Sequence, residues 1–305
     1  MKRWITCMDT ICFADLVHTK FKKPFSTASG SCSEKDTVLL GYEDGERWEL
    51  TWSPSMGVSA HSVFHALQTR ELDSAIRSFL LSHLCWEAVA SELSTSGKKP
   101  CIFVEEVGVR ERAPSLHEGV GLLRVKCSKV VPEWLYDCVL PAYLVLDFNG
   151  SADATKLEGD MHAFVADHPD VGVFVEQPYR GILPSRIGGA QVILDAGGYI
   201  DMIKTGSVFP GSVAIFKLGR NTVEEYTVLR KLGVNCLFGS VLCTNGAYQK
   251  IVKLNDGLGN LRLRTLYRDG IKIDDAISPI SVETIETTCV KDFLNGMFQC
   301  RRCLE

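Results

Sequence analysis

Five charged residues stand at the ends of five apolar runs in the middle of this chain. They are Lys126 in LLRVKCS, Asp147 in YLVLDFN, Glu176 in VGVFVEQP, Asp195 in QVILDAG and Lys217 in SVAIFKLG. A charge at the buried end of a strand is costly unless it is paired or bound to a metal. Recurring at homologous places in the order Lys, Asp, Glu, Asp, Lys, the five read as one constellation rather than as solvated ends. Three carboxylates from three consecutive strands are expected to converge. All-oxygen ligation suits a hard cation, so Mg²⁺ is the expected metal, with Mn²⁺ as the alternative. No H-x-H or H-E-x-x-H pattern offers a zinc site. A lysine partly desolvated beside such a centre has a lowered pKa and can act as a base near neutral pH. Side chains two apart share a strand face, which pairs Arg124 with Lys126 and Asn149 with Asp147.

The elements that must carry these residues follow from the apolar pattern. Short β-branched runs predict strands at 102–106, 122–128, 143–149, 171–177, 191–196, 212–218 and 234–240. From the second onward their starts lie 21, 28, 20, 21 and 22 residues apart, the period of a strand, a helix and two short loops. Near-continuous apolar strands joined by crossovers predict a parallel sheet with both faces covered. Seven such strands, with room for an eighth, predict a (β/α) barrel, and a doubly wound open sheet is the alternative. In a barrel the C-terminal strand ends form the active site, where the five charges lie. No Gly-rich phosphate loop competes, since GSVFPGS lacks the Lys of a P-loop.

Residues 1–98 read differently, as an α+β unit. DTVLLGYEDGERWELTW has two strand-like runs around a turn signal and predicts a hairpin. Residues 62–68 and 72–93 predict helices, and Ile76, Phe79, Leu80, Leu84 and Ala88 give the second a buried face. STSGKKP at 94–100 has the composition of a linker, so residues 99–305 are expected to form the barrel.

Composition excludes several classes. Among 305 residues, 46% are hydrophobic and 23% charged, and the net charge is -4. That is too apolar for a disordered chain and too acidic for a nucleic-acid binder. No apolar run is long enough to span a membrane, and Asp9 and Asp15 interrupt any secretory signal, so a cytoplasmic protein is expected. The 12 cysteines are scattered and read as small hydrophobes in a reducing compartment. Cys300 and Cys303 form a lone C-x-x-C without the second pair a structural zinc needs.

The constellation resembles that of the enolase superfamily, and specifically its muconate-lactonising-type subgroup. Arg124-Val125-Lys126 stands for the family's K-x-K, and Leu146-Asp147-Phe148-Asn149 for its L-D-x-N. Val175-Glu176-Gln177-Pro178 matches its V-E-Q-P, the most specific piece. Leu194-Asp195 and Phe216-Lys217 take the places of the third ligand and the final lysine. The resemblance implies a capping domain over residues 1–98, onto which part of the C-terminal tail packs, followed by a modified (β/α) TIM-like barrel. It implies Asp147, Glu176 and Asp195 as ligands of Mg²⁺, and Lys126 and Lys217 as catalytic residues. The substrate is then a small-molecule carboxylate, with Arg124, Asn149 and Ser240 as contacts.

Within the subgroup the short chain is most similar to the o-succinylbenzoate synthase family, lyases of menaquinone biosynthesis. There Lys126 would take the proton alpha to the carboxylate and Lys217 would hold the anionic intermediate. Departures are Arg124 for the first Lys, Ala196 for the Glu after the third ligand, and Glu46-Arg47-Trp48-Glu49 for the cap's G-x-G-E. Arginine stays charged and cannot be a base, but the second position is the family's proton acceptor. The D-x-D of dipeptide epimerases is missing, since Asp274 and Asp275 are adjacent. Phe21–Ser33 and Thr51–Ser59 are the expected lid loops over the barrel mouth.

Overall fold

The computed structural model of the chain describes residues 11–27, 30–42, 47–50, 57–93, 102–107, 120–195, 198–239, 245–259, 265–267 and 280–286. Two sheets organise them. The first is antiparallel: β1 (Ile11–Thr27), β2 (Gly30–Tyr42), β3 (Arg47–Leu50) and β13 (Ile280–Glu286) lie in the order β13-β1-β2-β3. The strand nearest the C-terminus therefore joins the N-terminal sheet, with Phe13 opposite Glu286. The expected hairpin is β2 with β3, in which Val38 faces Leu50 and Gly41 faces Arg47.

Two helices follow, α1 (Ala60–Thr69) and α2 (Ser74–Glu92). The first starts at a capping box, with Ser59 Oγ accepting from the Ser62 N–H at 3.0 Å. The second starts where Asp73 accepts from the Ile76 N–H at 2.8 Å. Such caps satisfy N–H groups that have no partner inside the helix. The periodicity read from Ile76, Phe79, Leu80 and Leu84 is the buried face of α2, to which Trp86 also belongs.

The second sheet is a curled parallel half-barrel. In chain order its elements are β4 (Ile102–Val107), β5 (Val120–Lys126), β6 (Tyr143–Asp147), α3 (Ala154–Asp167), β7 (Gly172–Glu176), β8 (Arg186–Ile187), β9 (Ala190–Leu194), α4 (Tyr199–Lys204), β10 (Val213–Phe216), α5 (Val223–Lys231), β11 (Asn235–Phe238), α6 (Asn245–Gly257) and β12 (Thr265–Tyr267). The strand order is β11-β10-β9-β7-β6-β5-β4-β12, so β12 returns beside the first strand of the unit, and β8 adds an antiparallel edge to β9. The architecture is the expected cap plus TIM-like barrel, not an open doubly wound sheet.

Alternation along the strands sorts the side chains into two layers. Leu123, Val125, Leu144, Leu146, Val175, Val192, Leu194, Ala214 and Phe216 join the large core shared with the helices. Leu122, Val145, Phe174, Ile193, Val213 and Ile215 form a separate apolar cluster on the inner face. The same parity carries Arg124, Lys126, Asp147, Glu176, Asp195 and Lys217 onto that inner face, toward the C-terminal ends. The inner cluster is the floor of the site.

Phe21–Ser33 is not a loop as expected. Apart from 28–29 its backbone is the end of the β1–β2 hairpin, with Phe25 opposite Cys32 and Thr27 opposite Gly30. An antiparallel ladder pairs 25–27 with 30–32, which composition alone did not reveal. Residues 51–56 of the other lid candidate lie outside the described residues, as do Cys300 and Cys303. Among the described residues no helix is long and apolar enough to cross a membrane.

Candidate active site

Register brings the charges together. In the parallel ladders Lys126 pairs with Asp147 and Asp147 with Glu176, which sets three strand ends level. The ladder continues one residue past these ends: Cys127 N–H donates to the Asp147 carbonyl at 2.7 Å and Phe148 N–H to that of Glu176 at 3.0 Å. Backbone bonding on both sides fixes where each carboxylate starts.

Arg124 lies one inward step below Lys126 and reaches across two strands. Its Nη2 donates to Asp147 Oδ2 at 2.8 Å and to Glu176 Oε1 at 2.7 Å. Lys126 Nζ donates to the same Asp147 oxygen. The second oxygen, Oδ1, accepts the backbone N–H of Asn149 at 3.1 Å. Asp147 is 0% exposed and Glu176 3%, so these are charge-assisted bonds in a place where unpaired charge would be severely penalised.

Asp195 has its own pair of cations. Lys217 Nζ donates to Oδ2 at 2.5 Å, and Arg220 Nη2 donates to Oδ1. Gln177 Nε2 donates to the Asp195 backbone carbonyl. Gln177 has φ 43, a left-handed turn directly after β7.

Burial pushes the Glu176 carboxyl up to about 7; Arg124 opposes the rise, while the Asp147 and Asp195 carboxylates add to it. Burial also works to raise Asp195, but Lys217 and then Arg220 outweigh it and hold that carboxyl at about 2. Burial lowers the Lys217 ammonium from its ordinary value, against the pull of Asp195. A lysine so placed gives up its proton more readily than an exposed one.

The structure therefore gathers Arg124, Lys126, Asp147 and Glu176 into one contact group, with Asp195 and Lys217 in the adjoining pair. The face expected for Asn149 does not follow from the strand. The strand ends at Asp147, and Asn149 has φ 50, so strand alternation no longer applies to it; it bonds Asp147 through its backbone and its side chain is exposed. Ser240 lies outside the described residues. The rival cations and acids are peripheral: Lys204 pairs with exposed Asp201 at 3.2 Å on α4, and Lys129 is exposed.

Arg220 and Asn221 were missed in the sequence. Asn221 is fully buried, and its Oδ1 accepts the Lys217 N–H at 3.0 Å and the Arg220 Nε–H at 3.3 Å. A second cation three residues after a strand-end lysine was the available signal. Burial pushes the Cys127 thiol, and separately that of Cys236, up to about 12.

The donor set has the chemistry of a hard-cation site, yet its arrangement does not fit one. Asp147 Oδ2, Glu176 Oε1 and both Asp195 oxygens are each engaged by a side-chain cation of this chain. Among the described residues no group of three His, Cys, Asp or Glu side chains is placed to hold a metal.

No family model matches the sequence, and no curated protein matches it. Solved structures do. An o-succinylbenzoate synthase from Thermosynechococcus elongatus BP-1, complexed with Mg in its active site, aligns over 94% of this chain and 99% of its own, with 16% identity and a TM-score of 0.60. A mandelate racemase/muconate lactonizing protein from Herpetosiphon aurantiacus aligns over 83% of this chain and 87% of its own, with 15% identity and a TM-score of 0.57. A dipeptide epimerase from Methylococcus capsulatus, complexed with Mg and the dipeptide L-Arg-D-Lys, aligns over 80% of this chain and 86% of its own, with 16% identity and a TM-score of 0.54. The chain shares its fold with these structures and with a protein from Enterococcus faecalis V583 described as a member of the enolase superfamily, at 15% identity and a TM-score of 0.56 over 80% of this chain and 82% of its own.

Proposed function

We propose that this chain is an enzyme that removes the proton alpha to a carboxylate of a small-molecule substrate. We further propose that its reaction is the dehydration of 2-succinyl-6-hydroxy-2,4-cyclohexadiene-1-carboxylate to o-succinylbenzoate. The observation that carries this reading is the pair of lysines, Lys126 and Lys217, bonded to opposite members of a carboxylate cluster on a barrel's C-terminal rim. Enzymes on this fold use that rim for chemistry, and the solved synthase is matched over nearly its whole length.

The roles follow from charge and burial. Lys126, in its neutral form, takes the proton from the carbon next to the carboxylate. The electron pair left on carbon expels the hydroxyl from the neighbouring ring position. The proton on Lys126 passes to that hydroxyl, which leaves as water, and the base is restored. Between these events the substrate is an anion, and the Arg124 and Lys217 cations stabilise it. Aromatisation of the ring makes the second half strongly downhill. Asp147, Glu176 and Asp195 hold Arg124, Lys126, Lys217 and Arg220 in place.

The competing reading is epimerisation of a dipeptide or N-acylamino acid, in which the two lysines serve as acid and base on opposite faces. It is favoured by the solved epimerases on the same fold and disfavoured by the adjacent Asp274 and Asp275, where a D-x-D would hold the substrate amine. A third reading is a relative that retains the fold without catalysis.

An ultraviolet assay of the purified protein with the cyclohexadiene substrate tests the proposal. Turnover that disappears in Lys126→Ala supports the synthase and its base. Absence of turnover, together with deuterium incorporation into a dipeptide, replaces it with the epimerase. Neither activity at any pH leaves the fold-retaining relative.

A further inference from the structure

We propose that Arg124 takes the place of a divalent metal in this centre, and that with Lys126, Lys217 and Arg220 it forms a metal-independent receptor for the carboxylate of an anionic small molecule. The carboxylate half of this inference rests on the reading above; the metal half rests on geometry alone.

The geometry is specific. One guanidinium nitrogen, Nη2 of Arg124, bridges carboxylates from two adjacent strands, at 2.8 Å to Asp147 and 2.7 Å to Glu176. A cation shared between those two oxygens is what a metal bridging the same strand ends would be. The third carboxylate is withdrawn from any such centre. Asp195 gives Oδ2 to Lys217 at 2.5 Å and Oδ1 to Arg220. The remaining Asp147 oxygen is held by the Asn149 N–H.

The chemistry of the two arginines makes the arrangement durable. A lysine can yield to an incoming metal by losing its proton. A guanidinium cannot, because its pKa lies above about 12, and its charge must stay or move as a whole. A divalent ion entering here would break the ion pairs of four cationic groups and then sit beside two permanent positive charges. Its gain in attraction to the carboxylates is opposed by repulsion inside a buried site, where Coulomb forces are poorly screened.

The same charges suit an anion. Among the described side chains of the centre, four cations face three carboxylates. Guanidinium donors are planar and match a carboxylate's two oxygens. Lys126, Arg124, Lys217 and Arg220 all retain partial exposure, while Asp147 and Glu176 do not. A ligand therefore meets these positive groups before Asp147 and Glu176, while Asp195, at 12%, is about as exposed as Arg220 at 14%.

The test is metal and ligand titration of EDTA-treated full-length protein. Mn²⁺ binding is read by electron paramagnetic resonance, and o-succinylbenzoate binding by calorimetry with and without Mg²⁺. The expected result is no stoichiometric Mn²⁺ uptake by the wild type and o-succinylbenzoate affinity unchanged by Mg²⁺. Arg124→Ala, with its fold checked by circular dichroism, releases Glu176 Oε1 and leaves Asp147 Oδ2 to Lys126 alone; it is expected to raise Mn²⁺ affinity at least about tenfold, by removing a neighbouring like charge. Arg124→Lys, which restores a cation able to shed its proton, falls between the two.

One tightly bound Mn²⁺ per wild-type chain overturns the metal half, as does o-succinylbenzoate binding that appears only with Mg²⁺. If neither Mn²⁺ nor o-succinylbenzoate binds, the carboxylate half and the proposed substrate fall together and the metal half stands.

Discussion

The backbone N–H of Lys217 donates to the side-chain oxygen of Asn221 at 3.0 Å, closing the turn that follows β10. The carbonyl of Asn221 in turn accepts from Ser82 Oγ and from Trp86 Nε1, each at 2.7 Å. Helix α2, far away in sequence, thus fixes the turn that carries Lys217 and Arg220. Asn221→Ala keeps the carbonyl but leaves the Lys217 N–H without its acceptor. The expected cost is about 1–3 kcal/mol in urea unfolding. Asn221→Asp, which keeps an acceptor oxygen, is expected to recover part of it. Lysine-dependent proton exchange, measured by mass spectrometry, should fall in Asn221→Ala by more than the unfolded fraction explains.

Gly219 lies in the same turn with φ +81, and a Cβ there would run into the rings of His83 and Phe79. Gly219→Ala combines left-handed strain with overpacking, so a loss of more than about 1 kcal/mol is expected. His83→Ala removes one of the obstructing rings. The double variant should therefore lose less than the sum of the singles in denaturant titrations. Simple additivity would show that strain alone is responsible.

Glu176 predicts how stability responds to pH. Its folded carboxyl is raised from 4.5 to about 7. The folded state thus holds the proton more tightly than the unfolded chain. This contribution is fully present below the ordinary value and is lost as pH rises through about 7. Glu176→Gln mimics the protonated form, and its unfolding free energy is expected to vary less between mildly acidic and mildly alkaline buffer than that of the wild type. An equally steep dependence in the variant would assign the effect elsewhere.

Asp195 has the opposite sign. Its carboxyl falls from 3.8 to about 2, so its stabilisation is present above the ordinary value and is lost as pH drops toward 2. Arg220→Met removes one of the two cations responsible. The Asp195 carboxyl is expected to rise toward its ordinary value, seen by carbon NMR, and the acid limb of unfolding should move to higher pH.

Much of this molecule was legible along the chain. Apolar runs at a regular period announced the parallel strands, because a strand covered on both faces has no polar side to show. The charges ending those runs stood out for the same reason, and alternation put Arg124 on the face of Lys126. What the chain could not show is which charge meets which. Arg124 reaches across to Asp147 and Glu176, and Asp195 is shared by Lys217 and Arg220, because strand register and the turn after β10 bring those atoms within bonding distance. The turn itself is shaped by Ser82 and Trp86, more than a hundred residues earlier. Asn221 escaped prediction because its importance comes from burial, a property of the assembled fold, and the φ of 50 at Asn149 could not be read from strand alternation. Periodicity is local and survives in sequence; electrostatic pairing depends on distances in space, which only the packing of strands and helices sets.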